Sequence, residues 1–339
     1  MAITIKENYS LIGHNTFKID VKATQFINYE NIDELLKVLD DLRKSNKRIM
    51  HIGCGSNLLF LNDFDGAILH SGIKDINYIS HDQHEIVVKV GAGVIWDNFC
   101  HEMAQNNYYG CENLSHIPGE VGAAAVQNIG AYGVEVESII REVETIEIAT
   151  GKPRVFSRAE CEYGYRESIF KNKLKGQYIV TAVTFTLSTT PVAHLDYGQL
   201  QELKTLPTTP SAMEIRNAVI NIRKSKLPEP DELGSAGSFF KNPVVDIDVF
   251  RNIAKNYNNV PHYMLNDCQV KIPAAWLIDM CGMKGKSMGG AAVYDKQPLI
   301  IVNKNHATPA HIAALASLIQ QNVYKKFNIH IEPEVNYIY

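Results

Sequence analysis

The sequence predicts a mixed α+β protein of two or three domains, and three observations carry that expectation. Its 339 residues, at roughly 150 per domain, suffice for about two domains or three small ones. Hydrophobic residues make up 45% and charged residues 21%, a balance that forms a packed core and is too apolar for wholesale disorder. Helical periodicity alternates with short β-branched runs, and no internal repeat or low-complexity segment interrupts them.

The first helix is expected over Asn31–Ser45, where Ile32, Leu35, Leu36, Leu39 and Leu42 share one face. Strand-like Arg48–Ile52, the turn GCGSN and apolar Leu58–Leu61 and Ala67–His70 follow, a β-α-β start. Glu85–Val90 reads as a strand that ends in Gly91-Ala92-Gly93 and runs into a helix over Val94–Asn106. Val143–Ala149 and Arg154–Phe156 are strands joined by a Gly-Lys-Pro turn, and β-branched Tyr178–Leu187 is another. Ser188–Ser211 is rich in Thr and Pro turns and reads as a loop or linker. Ser211 and Glu214 have capping-box spacing for a helix reaching Lys226. Further helices are expected over Asp248–Tyr257, Pro273–Cys281 and Pro309–Lys326, the last capped by Thr308. Leu299–Asn303 is a short strand, and Ile329–Tyr339 alternates as a final one that Pro333 interrupts.

Lys and Arg total 33 against 37 Asp and Glu, a net charge of −4 that offers no basic field to nucleic acid or an anionic membrane. No apolar run approaches the ~18–20 residues of a membrane span. Met1–Ser10 lacks the charged head and apolar core of a signal peptide. A cytoplasmic protein without nucleic-acid partner or membrane insertion is expected, and a monomer is the default. The six cysteines form no CxxC pair, so reduced thiols are expected. No HExxH occurs, and His81-Asp82-Gln83-His84 reads as a solvated turn, so no metal site is expected.

Two glycine-rich stretches carry the chemistry. Gly53-Cys54-Gly55-Ser56-Asn57-Leu58 follows a strand, yet Leu58 stands where the third glycine of a dinucleotide fingerprint belongs. Such a turn can still present backbone N–H groups to an anion, although a turn of this kind taken alone is more often a strand exit. Ile117–Gly133, IPGEVGAAAVQNIGAYG, holds four glycines and four alanines, a composition that lets backbone or a flat ligand approach closely. Gln127 and Asn128 are amides in an apolar run, and buried amides need partners that a flavin edge or a tight packing seam could supply.

Together the two stretches resemble the flavin-cradling loops of the UDP-N-acetylenolpyruvoylglucosamine reductase (MurB) family, of the type with a tyrosine-bearing substrate loop. The similarity continues through GYRESIF at 164–170, Lys226-Leu227-Pro228, AGSFFKNP at 236–243, AAWLID at 274–279 and Glu332-Pro333-Glu334-Val335, in order from Asn15-Thr16-Phe17 almost to the C-terminus. The resemblance implies a vanillyl-alcohol-oxidase-like (PCMH-type) two-lobed FAD-binding fold plus a C-terminal α/β substrate-binding domain. It places lobe 1 at 1–72, joined by the strand 331–339, lobe 2 at 73–205 and the substrate domain at 206–330. The implied reaction is NADPH-dependent, FAD-mediated reduction of UDP-N-acetylglucosamine enolpyruvate to UDP-N-acetylmuramate. This step belongs to peptidoglycan precursor synthesis, and so to cell-wall biogenesis, cell shape and division.

Residue by residue, the resemblance gives Gly53, Gly55, Ser56, Asn57 and Leu58 to non-covalent FAD. To these it adds Pro118, Gly119, Gly122, Ala123, Gln127, Asn128, Gly130, Tyr132 and Arg223. Arg166 is the charge stabiliser, because a guanidinium stays protonated and meets a carboxylate as a fork. Ser238 is the proton donor to the enolate-like intermediate, a role that requires a strongly basic acceptor carbon. Glu334 assists, and Glu332 is its natural control. Tyr197, Lys226, Asn242, Tyr263 and Lys284 are substrate-side positions. Seen singly, each of these residues is also explained as a surface or turn residue. Ala123 and Ala124 stand where some relatives have Ser, and Cys54 where an acid is common; no role falls to Cys54. A flavin oxidase of the same fold would instead consume oxygen with an alcohol or sugar. A non-catalytic FAD or UDP-sugar sensor would hold a flavin spectrum without turnover.

Overall fold

Capping side chains set where the helices begin. In the computed structural model, which describes residues 3–229 and 232–339, Asn31 is extended and its side chain accepts from the Glu34 N–H, so the helix runs Ile32–Ser45. Met1 and Ala2, at the head of the segment read above as Met1–Ser10, lie outside the described residues. Ser211 and Glu214 make the reciprocal capping box at the start of Ala212–Lys226. Thr308 caps Pro309–Phe327 by accepting from the His311 N–H, with Pro at the first turn.

The chain divides into two compact units. One comprises 1–9, 22–54 and 65–225, the other 10–21, 55–64 and 226–339. In the first unit a four-stranded sheet has the order Thr4–Ser10, Lys22–Tyr29, Phe64–Ser71, Ile49–Ile52. Its last two strands run parallel, with Ile49 opposite Ala67. Leu35, Val38, Leu39 and Leu42 of the helix Ile32–Ser45 bury against Ile27, Tyr29, Ala67 and Leu69. A five-stranded sheet has the order Pro153–Ser157, Ile140–Glu147, Tyr178–Ser188, Glu85–Gly91, Ile76–His81, and every neighbouring pair is antiparallel. Over it packs an extensive core, where Phe99 and Phe185 stack at 5.0 Å and Trp96 meets both. Burying each such ring contributes about 1.5–3 kcal/mol relative to exposure. The buried indole N–H of Trp96 donates to the Leu114 carbonyl at 2.9 Å.

In the second unit, Gly234–Ser238, Ile300–Asn303, Ala291–Val293 and Ser287–Met288 form an antiparallel sheet. Val244–Asp246, Gln269–Lys271 and Tyr263–Met264 form another. The C-terminal strand Asn336–Ile338 pairs parallel with Leu58–Phe60.

Several expectations need correction. Thr4–Ser10, Lys22–Tyr29 and Ile76–His81 are strands without a sequence-level expectation, and the first and last are largely exposed, so they lack an alternating pattern. Ser188–Ser211 is no bare linker: Leu195 and Leu200 are buried against Ala212, Ile215 and Val219, and Gly198–Thr205 is a 3-10 helix. Ile329–Tyr339 pairs as a strand only over Asn336–Ile338, since Pro333 has no N–H to give a ladder. Its burial nonetheless alternates, with Ile329, Ile331 and Val335 inside.

Candidate active site

In the first unit the stretch Ile117–Gly133 folds into a loop, the helix Val121–Gln127 and a tiny hairpin of Gly130–Ala131 with Val134–Glu135. Its residues take unusual backbone angles where the chain must turn: Gly119 at φ 138, Asn128 at 42, Tyr132 at 49 and Gly133 at 83. Close packing explains the small residues. A Cβ on Gly122 would stand 2.9 Å from the Ala92 methyl, and Val121, Ala124 and Ala125 are buried while Pro118 and Ala123 reach the surface.

The start of the stretch is held from two sides. His116, at φ 61, donates its N–H to Asp97 Oδ1 at 2.5 Å. Asp97 is gripped by both amino nitrogens of Arg216 at 2.6 and 2.8 Å, and Arg216 is only 6% exposed. Burial pushes the Asp97 carboxyl upward, but the Arg216 guanidinium and the His116 N–H outweigh it and hold it below the usual range. Two turns along the same helix Ala212–Lys226, Arg223 donates to the His116 carbonyl at 3.2 Å. Arg223 also lies beside the Tyr132 phenol, whose pKa burial raises against the pull of that guanidinium.

Gly53 packs so closely on this stretch that a Cβ there would lie 3.0 Å from Glu120 Oε2. Buried Glu120 pairs with His70 Nε2 at 2.8 Å, and the opposite ring nitrogen meets Asn28 Oδ1 at 2.8 Å. The Cys54 thiol points at the same carboxylate at 3.5 Å. Burial and the Glu120 charge push that thiol up to about 12, which keeps it protonated and inert.

Arg166, itself at φ 59, reaches back to the hairpin: its guanidinium donates to the Asn128 carbonyl at 3.3 Å and to the Gly130 carbonyl. The buried Asn128 amide is satisfied within the protein by Glu135 Oε2, the Gly164 carbonyl and the Glu137 N–H. Gln127 is half-buried at the helix end. Tyr197 is exposed, and its ring meets the edge of Tyr132 at 6.0 Å and 89°.

In the second unit Gly55, at φ 66, accepts from the Thr16 N–H, and a Cβ there would lie 2.0 Å from the His14 carbonyl, so only glycine fits. Ser56, Asn57 and Leu58 are half-buried. Asn57 donates from Nδ2 to the Glu334 carbonyl at 3.1 Å and accepts from the Asn336 N–H at 3.0 Å. Glu334 in turn donates its N–H to the Phe239 carbonyl at 2.8 Å, and Phe240 bridges Pro333 antiparallel. Ser238 ends its strand after a register shift at left-handed Gly237, so it is exposed while Phe239 and Phe240 are buried. Ser238, Glu334 and Asn57 are therefore on neighbouring segments of one unit. Of the substrate-side residues there, Asn242 accepts from the Ala274 N–H at 2.9 Å and steadies the start of Ala274–Met280. Lys226, Tyr263 and Lys284 are exposed, with Lys271 over the Tyr263 ring at 5.8 Å.

The residues of the first unit fit a flavin nucleotide. A Cβ on Gly53 would crowd Glu120 and one on Gly122 would overlap Ala92, so both positions keep bare backbone at the glycine-rich stretch. Among the described residues no group of three His, Cys, Asp or Glu is placed to hold a metal ion.

The family model for the C-terminal domain of UDP-N-acetylenolpyruvoylglucosamine reductase matches residues 229–338, and that for an FAD binding domain matches 23–157. UDP-N-acetylenolpyruvoylglucosamine reductase of Bacteroides fragilis (strain YCH46) is 47% identical over 335 residues, spanning 98% of this chain and 100% of its own. The chain belongs to the UDP-N-acetylenolpyruvoylglucosamine reductase family. The reductase of Porphyromonas gingivalis (strain W83) is 44% identical, over 98% of this chain and 99% of its own. The crystal structure of the family's Thermus caldophilus member, at 22% identity, covers 99% of both chains with a TM-score of 0.67. The fold is thus an α+β FAD-binding fold completed by the family's C-terminal domain.

Sequence reasoning missed Asp97, Asn113 and Arg216. Asp97 and Arg216 lie on helices where a charge reads as a solvated face, and only the fold pairs them across 119 positions. Asn113 sits in Glu112-Asn113-Leu114, where only its position just ahead of the glycine-rich stretch could have drawn notice.

Proposed function

We propose that Arg166, Ser238 and Glu334 are the catalytic residues of this enzyme, an NADPH-dependent flavin oxidoreductase. It reduces UDP-N-acetylglucosamine enolpyruvate to UDP-N-acetylmuramate in peptidoglycan precursor synthesis. Bound FAD supplies the redox step, taking hydride from NADPH and giving it to the enolpyruvyl group. The protein must hold the substrate, meet the negative charge that grows on its carboxylate and deliver one proton.

The observation that carries the reading is the pairing of 239–240 with 333–334. It sets the exposed Ser238 hydroxyl on the segment next to Glu334, although nearly a hundred residues separate them. Ser238 gives its proton to the carbon next to the reduced one. An ordinary serine is a poor acid, so the transfer relies on a basic carbanion-like acceptor and on positive charge nearby. Glu334 assists that transfer, and Arg166 offers a permanent charge to the substrate carboxylate. Gly53, Gly55, Ser56, Asn57, Leu58 and the positions named along Pro118–Tyr132, with Arg223, hold FAD without a covalent bond. Tyr197, Lys226, Asn242, Tyr263 and Lys284 receive the UDP-sugar.

Among the described residues no helix is long and apolar enough to cross a membrane. We read the enzyme as a monomer in the cytoplasm; its net charge of −4, which offers no basic field to an anionic membrane, supports the location.

The test is anaerobic. The yellow holoenzyme is reduced with NADPH and then mixed with the enolpyruvyl substrate. Ser238→Ala is expected to bleach normally and to fail in reoxidation. Equal slowing of both half-reactions removes Ser238 from its role, and a wild-type flavin that stays reduced overturns the reaction itself.

A further inference from the structure

Asn113 is 1% exposed, and its side chain does two things at once. From Nδ2 it donates to the Tyr132 carbonyl at 3.0 Å and to the His194 carbonyl at 2.8 Å, partners 19 and 81 residues away. Both amide hydrogens are spent, which fixes the orientation of the group, and the buried Oδ1 is left without a partner among the described residues. An unsatisfied buried acceptor is costly, so an amide here is retained for its two donors.

Those donors join the turn of the Gly130–Ala131 hairpin to the segment that carries Tyr197. Two further contacts run between the same pieces. The Tyr132 ring meets Tyr197 edge-on at 6.0 Å, and a Cβ on Gly133 would lie 3.8 Å from the Tyr197 Cβ. Leu195, next to His194, is buried with Leu200 in the small cluster against which Tyr132 packs. Tyr197 thus rides on an anchored segment, and the buried Asn113 side chain supplies a hydrogen bond to that segment and another to the Tyr132 turn.

We infer that Asn113 is a positioning residue for substrate binding, holding the Tyr197 segment against the Tyr132 turn so that the Tyr197 ring is presented in one place. The inference rests on the reading of Tyr197 as a substrate-side residue. It assigns Asn113 no contact with substrate.

The test compares Asn113→Ala, Tyr197→Ala and the double variant as holoenzymes, with the enolpyruvyl UDP-sugar as probe. Asn113→Ala is expected to raise the substrate KM about tenfold, the effect of one or two lost neutral hydrogen bonds, with flavin reduction by NADPH within about twofold of wild type. In the Tyr197→Ala background the same change is expected to add less than about twofold, because residues acting as one unit are not additive. A merely structural role would slow both half-reactions or multiply independently with Tyr197→Ala, and either result overturns the inference. Tyr197→Ala with an unchanged KM instead removes the reading of Tyr197 on which it stands. If Asn113→Ala loses its flavin or its fold, Asn113→Leu, which keeps the volume and lacks the donors, is judged by the same KM comparison.

Discussion

The Arg166 guanidinium is fastened to the backbone carbonyls of Asn128 and Gly130, the two ends of the step from the small-residue helix into its hairpin. Gly130 must be glycine for this, since a Cβ there would lie 2.6 Å from Arg166 Nη1. A charge held in this way has its direction set before substrate arrives, which favours stabilisation of a charge that develops later. Lysine would keep the charge but lose the fork. Arg166→Lys is expected to slow flavin reoxidation by the enolpyruvyl substrate about 100-fold or more, with reduction by NADPH near normal. Stopped-flow absorbance of the flavin reads both rates, and normal reoxidation would rule out the assignment.

Glu334 and Glu332 offer an internal comparison. Glu332 is exposed, and its carbonyl accepts from the Lys241 N–H, whereas Glu334 is half-buried between Asn57 and Phe239. Glu334→Gln is expected to reduce turnover about 100-fold, and Glu332→Gln to leave it within about twofold. Steady-state rates on the two variants decide it, and equal losses would sink the distinction.

Asp97→Asn should destabilise the first unit. It strands a nearly buried Arg216 and loosens His116 at the head of the glycine-rich stretch, at an expected cost of about 2 kcal/mol given that Asp97 is partly exposed. Because the folded state holds the Asp97 carboxyl below its ordinary value of 3.8, this stabilisation is complete above that value. It fades as the pH falls through the lowered one. Thermal melts of wild type and variant should therefore diverge at pH 7 and converge in acid.

Glu112 gives the opposite sign. It is 1% exposed, takes the Gly110 N–H on Oε2 at 2.5 Å and leaves Oε1 without a partner among the described residues. Burial raises its pKa above the ordinary 4.5, so its ionisation costs folded-state stability as the pH rises through and beyond that range. Glu112→Gln is expected to melt higher than wild type at pH 8, with the gap closing toward pH 4. A gap that widens in acid would contradict this.

Much of the helix pattern was legible because its signals are local. The Ser211–Glu214 box and the Thr308 cap act within four residues, and the structure places both where spacing predicted them, whereas Asn31, read as the first helical residue, is the cap instead. Strands fared worse where one face does not bury. Thr4–Ser10 and Ile76–His81 exist because neighbours supply the ladder, and their own side chains carry little pattern. The same contrast runs through the site. The run of small residues Gly122–Ala125 announces close approach, and at Gly122 a Cβ would stand 2.9 Å from the Ala92 methyl. The partners they approach, Ala92 on one side and Gly53 through Glu120 on another, lie just past the ends of strands elsewhere in the chain.

What the sequence alone determined is the chemistry on offer: two glycine-rich stretches, one arginine, one serine and one glutamate in an order that marks a family. Only the tertiary structure decided which groups hold them. Asp97 with Arg216, Glu120 with His70, and Asn113 with Tyr132 and His194 meet across 19 to 119 positions. The physical reason is that a hydrogen bond depends on a few ångströms in space, and separation along the chain does not encode that distance until the cores have packed.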